Sequence, residues 1–279
     1  MADTGLTHGD WLERVPQLLS ECVEEWDLRL GEPYVQGAAG YAVRAERGGA
    51  ACVLKLIYPH REAEHEPEAL RVWNGDGAVE LLAHDEARWA MLIERCEPGT
   101  LLAHADPDTA LDVLIALLPR LWKHVGEPFR ALADEATWWL EELPSDWERA
   151  GRPFERDLLD EVMRTLRELP ASQGEQVLLH QDLHTDNVLA ARREAWLVID
   201  PKPLVGEREL NVAPIVRDYV LGHSREGAVH RLDRLCEELE LDRERALGWT
   251  VAQTVAWMFE STQLHKHLET VRWLLGARG

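Results

Sequence analysis

The chain has 279 residues, which at roughly 150 residues per domain is enough for two units with a sizeable core. Its 30 Lys and Arg stand against 51 Asp and Glu, a formal charge of −21. A field of that sign repels phosphate backbones and anionic lipid, so neither nucleic acid nor a membrane surface is an expected partner. A cationic small molecule is compatible with the charge, although acidity also serves solubility alone. Cys22, Cys52, Cys96 and Cys236 form no CxxC pair and have no histidine at metal-ligand spacing, which argues against a disulfide framework or structural zinc and fits a reducing compartment. The segment MADTGLTHGDWLERV has no basic leader or apolar core, and no run of about 18 uncharged apolar residues occurs, so the expectation is a soluble, cytoplasmic protein.

Trp11, Val15, Leu18, Leu19, Cys22, Val23 and Trp26 recur at helical spacing, which predicts an opening helix from Trp11 to Leu30, stopped by Gly31 and Pro33. Residues 34–58 read as two alternating strands joined by a turn at Gly48 and Gly49. The stretch EAEHEPEALRVWNGDG predicts a helix closed by Asn74 and Gly75, and AVELLAHDEARWAMLIERC two further short strands. Beyond Pro98 and Gly99 the period turns helical, in DPDTALDVLIALLPRLWKHV, EATWWLEEL and FERDLLDEVMRTLREL. One island of β pattern follows, VLLHQDLHTDNVLAARREAWLVID, with two apolar runs about a turn at Arg192–Ala195, and three helical stretches run from about Val212 to the C-terminus. The fold class read from this order is α+β, with a small antiparallel sheet over residues 1–95 and a larger, mainly helical region over 96–279.

The island carries the chemistry. His180, Asp182 and Asn187 lie on the loop before its first strand and Asp200 ends its second, so functional groups cluster at the ends of a small hairpin. Asp182 and Asn187 are five apart, the spacing at which a catalytic loop sets one carboxylate at a hydroxyl nucleophile and one amide oxygen on magnesium. Asp200, directly after an apolar run, supplies a second hard oxygen. The combination reads as a magnesium-phosphate site.

With these residues the chain resembles the protein-kinase-like phosphotransferases, and among them the aminoglycoside phosphotransferase superfamily. HQDLHTDNVL looks like its HxDxxxxN catalytic loop and VIDPK like its metal-binding aspartate segment. HEPEALRVWNGDGAVELLAHD, MLIERCEPGTLL and LDRERALGWTVAQTVAW extend the similarity over nearly the whole chain, toward the streptomycin 6-phosphotransferase and hydroxyurea phosphotransferase branch. The resemblance implies a bilobal kinase-like fold and transfer of the γ-phosphoryl group of ATP to a hydroxyl of a small acceptor, with Asp182 catalytic and Asn187 and Asp200 on Mg2+. In such kinases a strand lysine holds the α- and β-phosphates and is oriented by a helix glutamate. Lys55 in VLKLIY is the only Lys before Lys123, a buried ammonium needs an anionic partner, and spacing from the helix end favours Glu66 over Glu68. For adenine the resemblance points to backbone groups of Arg95, Cys96 and Glu97. The implied acceptor is an aminocyclitol such as streptomycin, or hydroxyurea, with another amino sugar or metabolite as an alternative, since function sits in the pocket and not the fold.

Three departures stand out. QGAAGY has Gly37 and Gly40 where a phosphate-covering loop would lie, but no complete GxGxxG, and reads better as a simple turn. Asn211 stands where the superfamily often has an aspartate that braces the catalytic loop, so an amide must make those hydrogen bonds. Gln181 replaces the arginine of protein kinases, which implies no activation-loop phosphate switch. Plainer readings also exist: Asp182 and Asp200 as caps or turn residues, His180 as a buttress of the loop, and the tryptophans as core. A zinc hydrolase built on His180, Asp182, His184 and Asp186 would leave Lys55 without a role. A catalytically silent nucleotide-binding protein would be expected to have lost at least one of Lys55, Asp182, Asn187 and Asp200, and all four are present.

Overall fold

The computed structural model describes residues 7–34 and 40–277. Gly37, and with it most of the QGAAGY turn, lies outside them. The chain divides into two compact units, residues 1–100 with 189–202, and residues 101–188 with 203–279.

In the first unit, α1 (His8–Trp26) opens with a reciprocal cap in which Thr7 and Asp10 satisfy each other's backbone N–H groups. The helix stops at Trp26, earlier than its period predicts. Asp27 turns left-handed (φ 51°), and Leu28–Pro33 leaves as strand β1, paired antiparallel with β2 (Gly40–Arg47) from Leu28 opposite Arg47. Apolar Leu28 and Leu30 suit either element, and the available edge of β2 decides between them. β2 joins β3 (Ala50–Ile57) through Gly48 and Gly49, both at positive φ, and Arg47 faces Ala50 across this two-residue turn. α2 (Glu66–Trp73) ends on left-handed Asn74, before β4 (Leu81–Asp85) and β5 (Ala90–Glu94). The sheet order is β1-β2-β3-β5-β4, antiparallel throughout.

Strand alternation explains the core and the location of Lys55 together. Cys52, Leu54 and Leu56 of β3, with Val43 and Ala45 of β2, bury one face of the sheet against Trp11, Val15, Leu18 and Cys22 of α1. Lys55 has the opposite parity, so its side chain leaves the sheet on the face away from α1.

The second unit contains α3 (Pro107–Leu121), α4 (Leu132–Arg149) and α5 (Arg156–Glu168), then β6 (Gln176–Leu179). The chain next enters the first unit as the hairpin β7 (Val188–Ala190) and β8 (Trp196–Val198), on either side of the expected turn. It returns as β9 (Leu204–Glu207), which pairs antiparallel with β6; this short strand is not legible in the sequence pattern. The remainder is helical: a short α6 (Ala213–Val216), then α7 (Arg225–Glu238), α8 (Arg243–Trp257) and α9 (Leu264–Leu275). α8 is buried from Ala246 to Val255 on every side, as expected of a central helix. Trp139 and Trp249 are core residues, and Trp249 Nε1 donates to the fully buried Glu207, which also takes two 2.7 Å hydrogen bonds from Arg245.

The start of α4 packs on β9 without clearance. A Cβ at Gly206 would stand 2.4 Å from Leu132 Cβ, so Gly206→Ala forces backbone or helix to shift. The expected cost is about 1–3 kcal/mol, read as a lowered unfolding midpoint in denaturant at unchanged slope.

Candidate active site

β3 holds Lys55 at its centre, with Ala42 on one side and Met91 on the other. Its Nζ lies 2.6 Å from Glu66 Oε1 and 2.7 Å from Asp200 Oδ1. Glu66 is the first residue of α2 and is buried; Asp200 follows β8 by two residues and is about half exposed. Burial alone would drive the ammonium toward neutrality, but the charges of Asp200 and then Glu66 outweigh it and raise the Lys55 pKa well above the ordinary lysine value. Glu66 goes up as well, to about 7, because desolvation together with the Asp200 charge exceeds the pull of Lys55.

Asp200 reaches this position through contacts the sequence does not announce. β8 is stitched to the segment before β4 by Val198 N–H to Gly77 O (2.9 Å) and Val79 N–H to Val198 O (3.1 Å). At the hairpin turn Arg193 donates to the carbonyls of Gly75 (2.7 Å) and Ala78 (2.9 Å) and pairs with Glu94 at 2.9 Å. Asp200 itself is left-handed (φ 56°), a conformation that non-glycine residues hold only when their surroundings impose it. Lys202, two residues on, pairs with Glu62 at 3.4 Å. Arg95, Cys96 and Glu97 run on past the last β3–β5 pair, Cys52 opposite Glu94, so their backbone lies beyond the sheet ladder. Arg95 and Glu97 form an ion pair, Arg192 reaches Glu97 at 3.1 Å, and burial raises the Cys96 thiol to about 12.

In the second unit, the loop between β6 and β7 carries Asp182 and Asn187. Asn211 Oδ1 accepts the N–H groups of both His180 and Gln181 at 3.1 Å, so the amide supplies the two acceptor contacts a carboxylate would make there. His180 is fully buried and its Nδ1 accepts from Asp182 N–H at 3.3 Å, a buttress geometry. Asp218, not singled out in the sequence, accepts from the N–H (2.9 Å) and hydroxyl (2.7 Å) of buried Thr185. Asn187 Nδ2 donates to Asp182 O at 2.8 Å, which points the other end of the amide, its oxygen, away from that bond. An amide oxygen and carboxylates are hard donors, suited to magnesium and not to a soft-metal site. His184 Nδ1 accepts from Asp186 N–H, and among the described residues no three His, Cys, Asp or Glu groups are arranged to hold a metal, which removes the support for a zinc centre on this loop.

Residues 34–261 match the family model of aminoglycoside/hydroxyurea antibiotic resistance kinases. The chain is 39% identical to a streptomycin 6-kinase of Streptomyces griseus, over 90% of this chain and 85% of that one. It is 35% identical to a hydroxyurea phosphotransferase of Kitasatospora aureofaciens, over 99% and 83%. The chain belongs to the aminoglycoside/hydroxyurea antibiotic resistance kinase family. It is thus a phosphotransferase. Among solved structures, a choline kinase from Streptococcus pneumoniae matches with a TM-score of 0.68 at 13% identity, covering 94% of this chain and 99% of that one. The aminoglycoside phosphotransferase APH(4)-Ia matches with 0.61 at 13% identity, covering 94% and 96%. These likenesses show the kinase-like fold. Structures of such relatives have been solved with AMP, ADP or AMP-PNP, so members of this fold bind adenine nucleotides. No helix among the described residues of this kinase is long and apolar enough to cross a membrane.

Lys55 and Glu66 generate a pH signature. The folded pKa of Glu66, about 7, lies above its ordinary value of 4.5, so the fold favours the neutral acid; that contribution is complete below about 4.5 and is lost as pH rises through about 7. Lys55→Met removes the cation paired with Glu66 Oε1 and is expected to cost about 3–5 kcal/mol where the carboxyl must ionise. Its unfolding midpoint should therefore fall more between pH 6 and pH 8 than that of the unaltered protein, and adding Glu66→Gln should flatten the difference. An equal pH slope in all three proteins, measured by thermal unfolding, contradicts this account.

Proposed function

We propose that this chain is an ATP- and magnesium-dependent kinase whose acceptor is a hydroxyl of a streptomycin-like aminocyclitol. The observation that carries the reading is the buried Lys55 ammonium held between Glu66 and Asp200, a lysine oriented by a helix glutamate beside a candidate metal carboxylate. In this assignment Lys55 holds the α- and β-phosphates, Glu66 orients it, and the backbone of Arg95, Cys96 and Glu97 receives adenine. Asn187 and Asp200 would hold a Mg2+ accompanying the nucleotide, which would supply charge neutralisation on the phosphates. Asp182 takes the proton of the acceptor hydroxyl as its oxygen attacks the γ-phosphorus, the bond to the bridging oxygen breaks, and ADP leaves. Positioning and charge neutralisation supply most of the rate, as is general for phosphoryl transfer.

For the acceptor, support comes from streptomycin 6-kinases of two Streptomyces species at 39% and 38% identity and from the formal charge of −21, which suits a molecule bearing guanidinium groups. Hydroxyurea is the second reading, favoured by the relative whose match spans 99% of the chain. A cytoplasmic location is part of the proposal, in keeping with four buried, unbridged cysteines. The proposal includes no nucleic-acid or membrane partner.

A coupled ADP-release screen over streptomycin, other aminoglycosides and aminocyclitols, amino sugars and hydroxyurea tests the acceptor, with turnover on streptomycin expected. Asp182→Asn should lower kcat by about 10²–10⁴-fold, and Asp200→Ala should abolish magnesium-dependent turnover with the fold intact by circular dichroism. Retained turnover in Asp200→Ala overturns the assignment. ATP binding by calorimetry without transfer to any acceptor would instead favour the silent nucleotide-binding protein.

A further inference from the structure

Gln181, next to Asp182, is left-handed (φ 65°) and completely buried. A glutamine does not hold that backbone conformation on its own account, and among the described residues its side-chain amide has no hydrogen-bonding partner. The grip is on its backbone, from two sides. Asn211 Oδ1 takes its N–H at 3.1 Å, and Gln253 Nε2 donates to its carbonyl at 3.0 Å. Gln253 sits in α8, where every residue from Ala246 to Val255 is buried and an unpaired polar group would be costly. Its other end accepts from Arg217 Nη1 at 2.7 Å. A guanidinium can only donate, so it claims the amide oxygen and turns the NH2 group toward the Gln181 carbonyl. Arg217 is itself buried and lies over the Trp257 ring, 5.1 Å from its centre.

We propose that Arg217 and Gln253 are positioning residues that hold the left-handed turn at Gln181 and so aim Asp182 at the acceptor hydroxyl. This rests on the proposed role of Asp182. The physical reason is that Asn211 is neutral: its two contacts lack the strength of a carboxylate accepting the same N–H groups, and its own Nδ2 has no partner among the described residues. A second, charge-backed clamp on the following peptide, the one that leads from Gln181 into Asp182, makes up the difference. Arg217 orders Gln253, Gln253 orders Gln181, and neither needs to touch a substrate.

The test is Gln253→Glu, which keeps an acceptor for Arg217 and removes the donor to Gln181. The expected result is a kcat lowered at least about tenfold, a KM for ATP changed by less than about twofold, and faster hydrogen exchange over residues 180–187. Gln253→Met, near in volume but lacking both bonds, should show the same loss of kcat with a lowered midpoint, and it carries the test if the glutamate variant does not fold. Arg217→Lys, which retains a charged donor, should recover most of the kcat that Arg217→Met loses. A folded Gln253 variant with unaltered kcat beside an inactive Asp182→Asn overturns this inference alone, and so does a loss of kcat with unchanged exchange over 180–187. Unaltered turnover in Asp182→Asn overturns it together with the proposed function.

Discussion

A lysine ammonium is buried in the middle of a sheet with a carboxylate from a helix and a carboxylate from a distant hairpin both within 2.7 Å, and the geometry of the first unit follows from keeping that charge paired. The lysine is what holds the other two groups together: without it the two acids would face each other with no cation between them, whereas loss of either acid still leaves the ammonium one counter-charge. Holding three such groups at contact distance requires rigid supports. β3 is paired on both sides, α2 begins at Glu66, and the hairpin is clamped through Arg193 and the two backbone bonds of Val198.

The second unit solves a related problem without a comparable charge. Its loop carries Asp182 and Asn187, and it is held by neutral or backbone-directed contacts: Asn211 beneath His180 and Gln181, Gln253 against the Gln181 carbonyl, Asp218 on Thr185. Such contacts pin the main chain of the loop on which Asp182 lies, as the proposed catalytic role of that carboxylate would require. Arg217 adds a cationic group behind this set, and it acts one residue removed from the loop, through Gln253.

The legibility of these features differs for physical reasons. The HxDxxxxN spacing and the IDP segment are local, so they can be read from a string of residues, and so can the Gly-Gly turn and the Asn74 cap, where backbone conformation follows from residue type. The end of α1 was not legible, because Leu28 and Leu30 are equally good as the last turn of a helix or the first residues of a strand. Arg193, Asp218 and Gln253 were not legible either. In sequence they are a turn residue, an acid before a tyrosine and a polar residue in an apolar helix, and what gives them significance is a carbonyl or hydroxyl contributed by a residue 33 to 118 positions away.

Residue order alone made legible the antiparallel sheet followed by helices and the loop and hairpin that carry Asp182, Asn187 and Asp200, because these depend on periodicity and turn chemistry, while the pairing of Lys55 with Glu66 came from the family resemblance together with the cost of an unpaired charge. Tertiary structure decided that residues 189–202 pack with the first hundred, that Asp200 shares the Lys55 ammonium with Glu66, and that Asn211 and Gln253 hold the two consecutive peptides that meet at Gln181. Those outcomes depend on long-range closure of the chain, in which the partner of each polar group is chosen by packing and not by its neighbours in sequence.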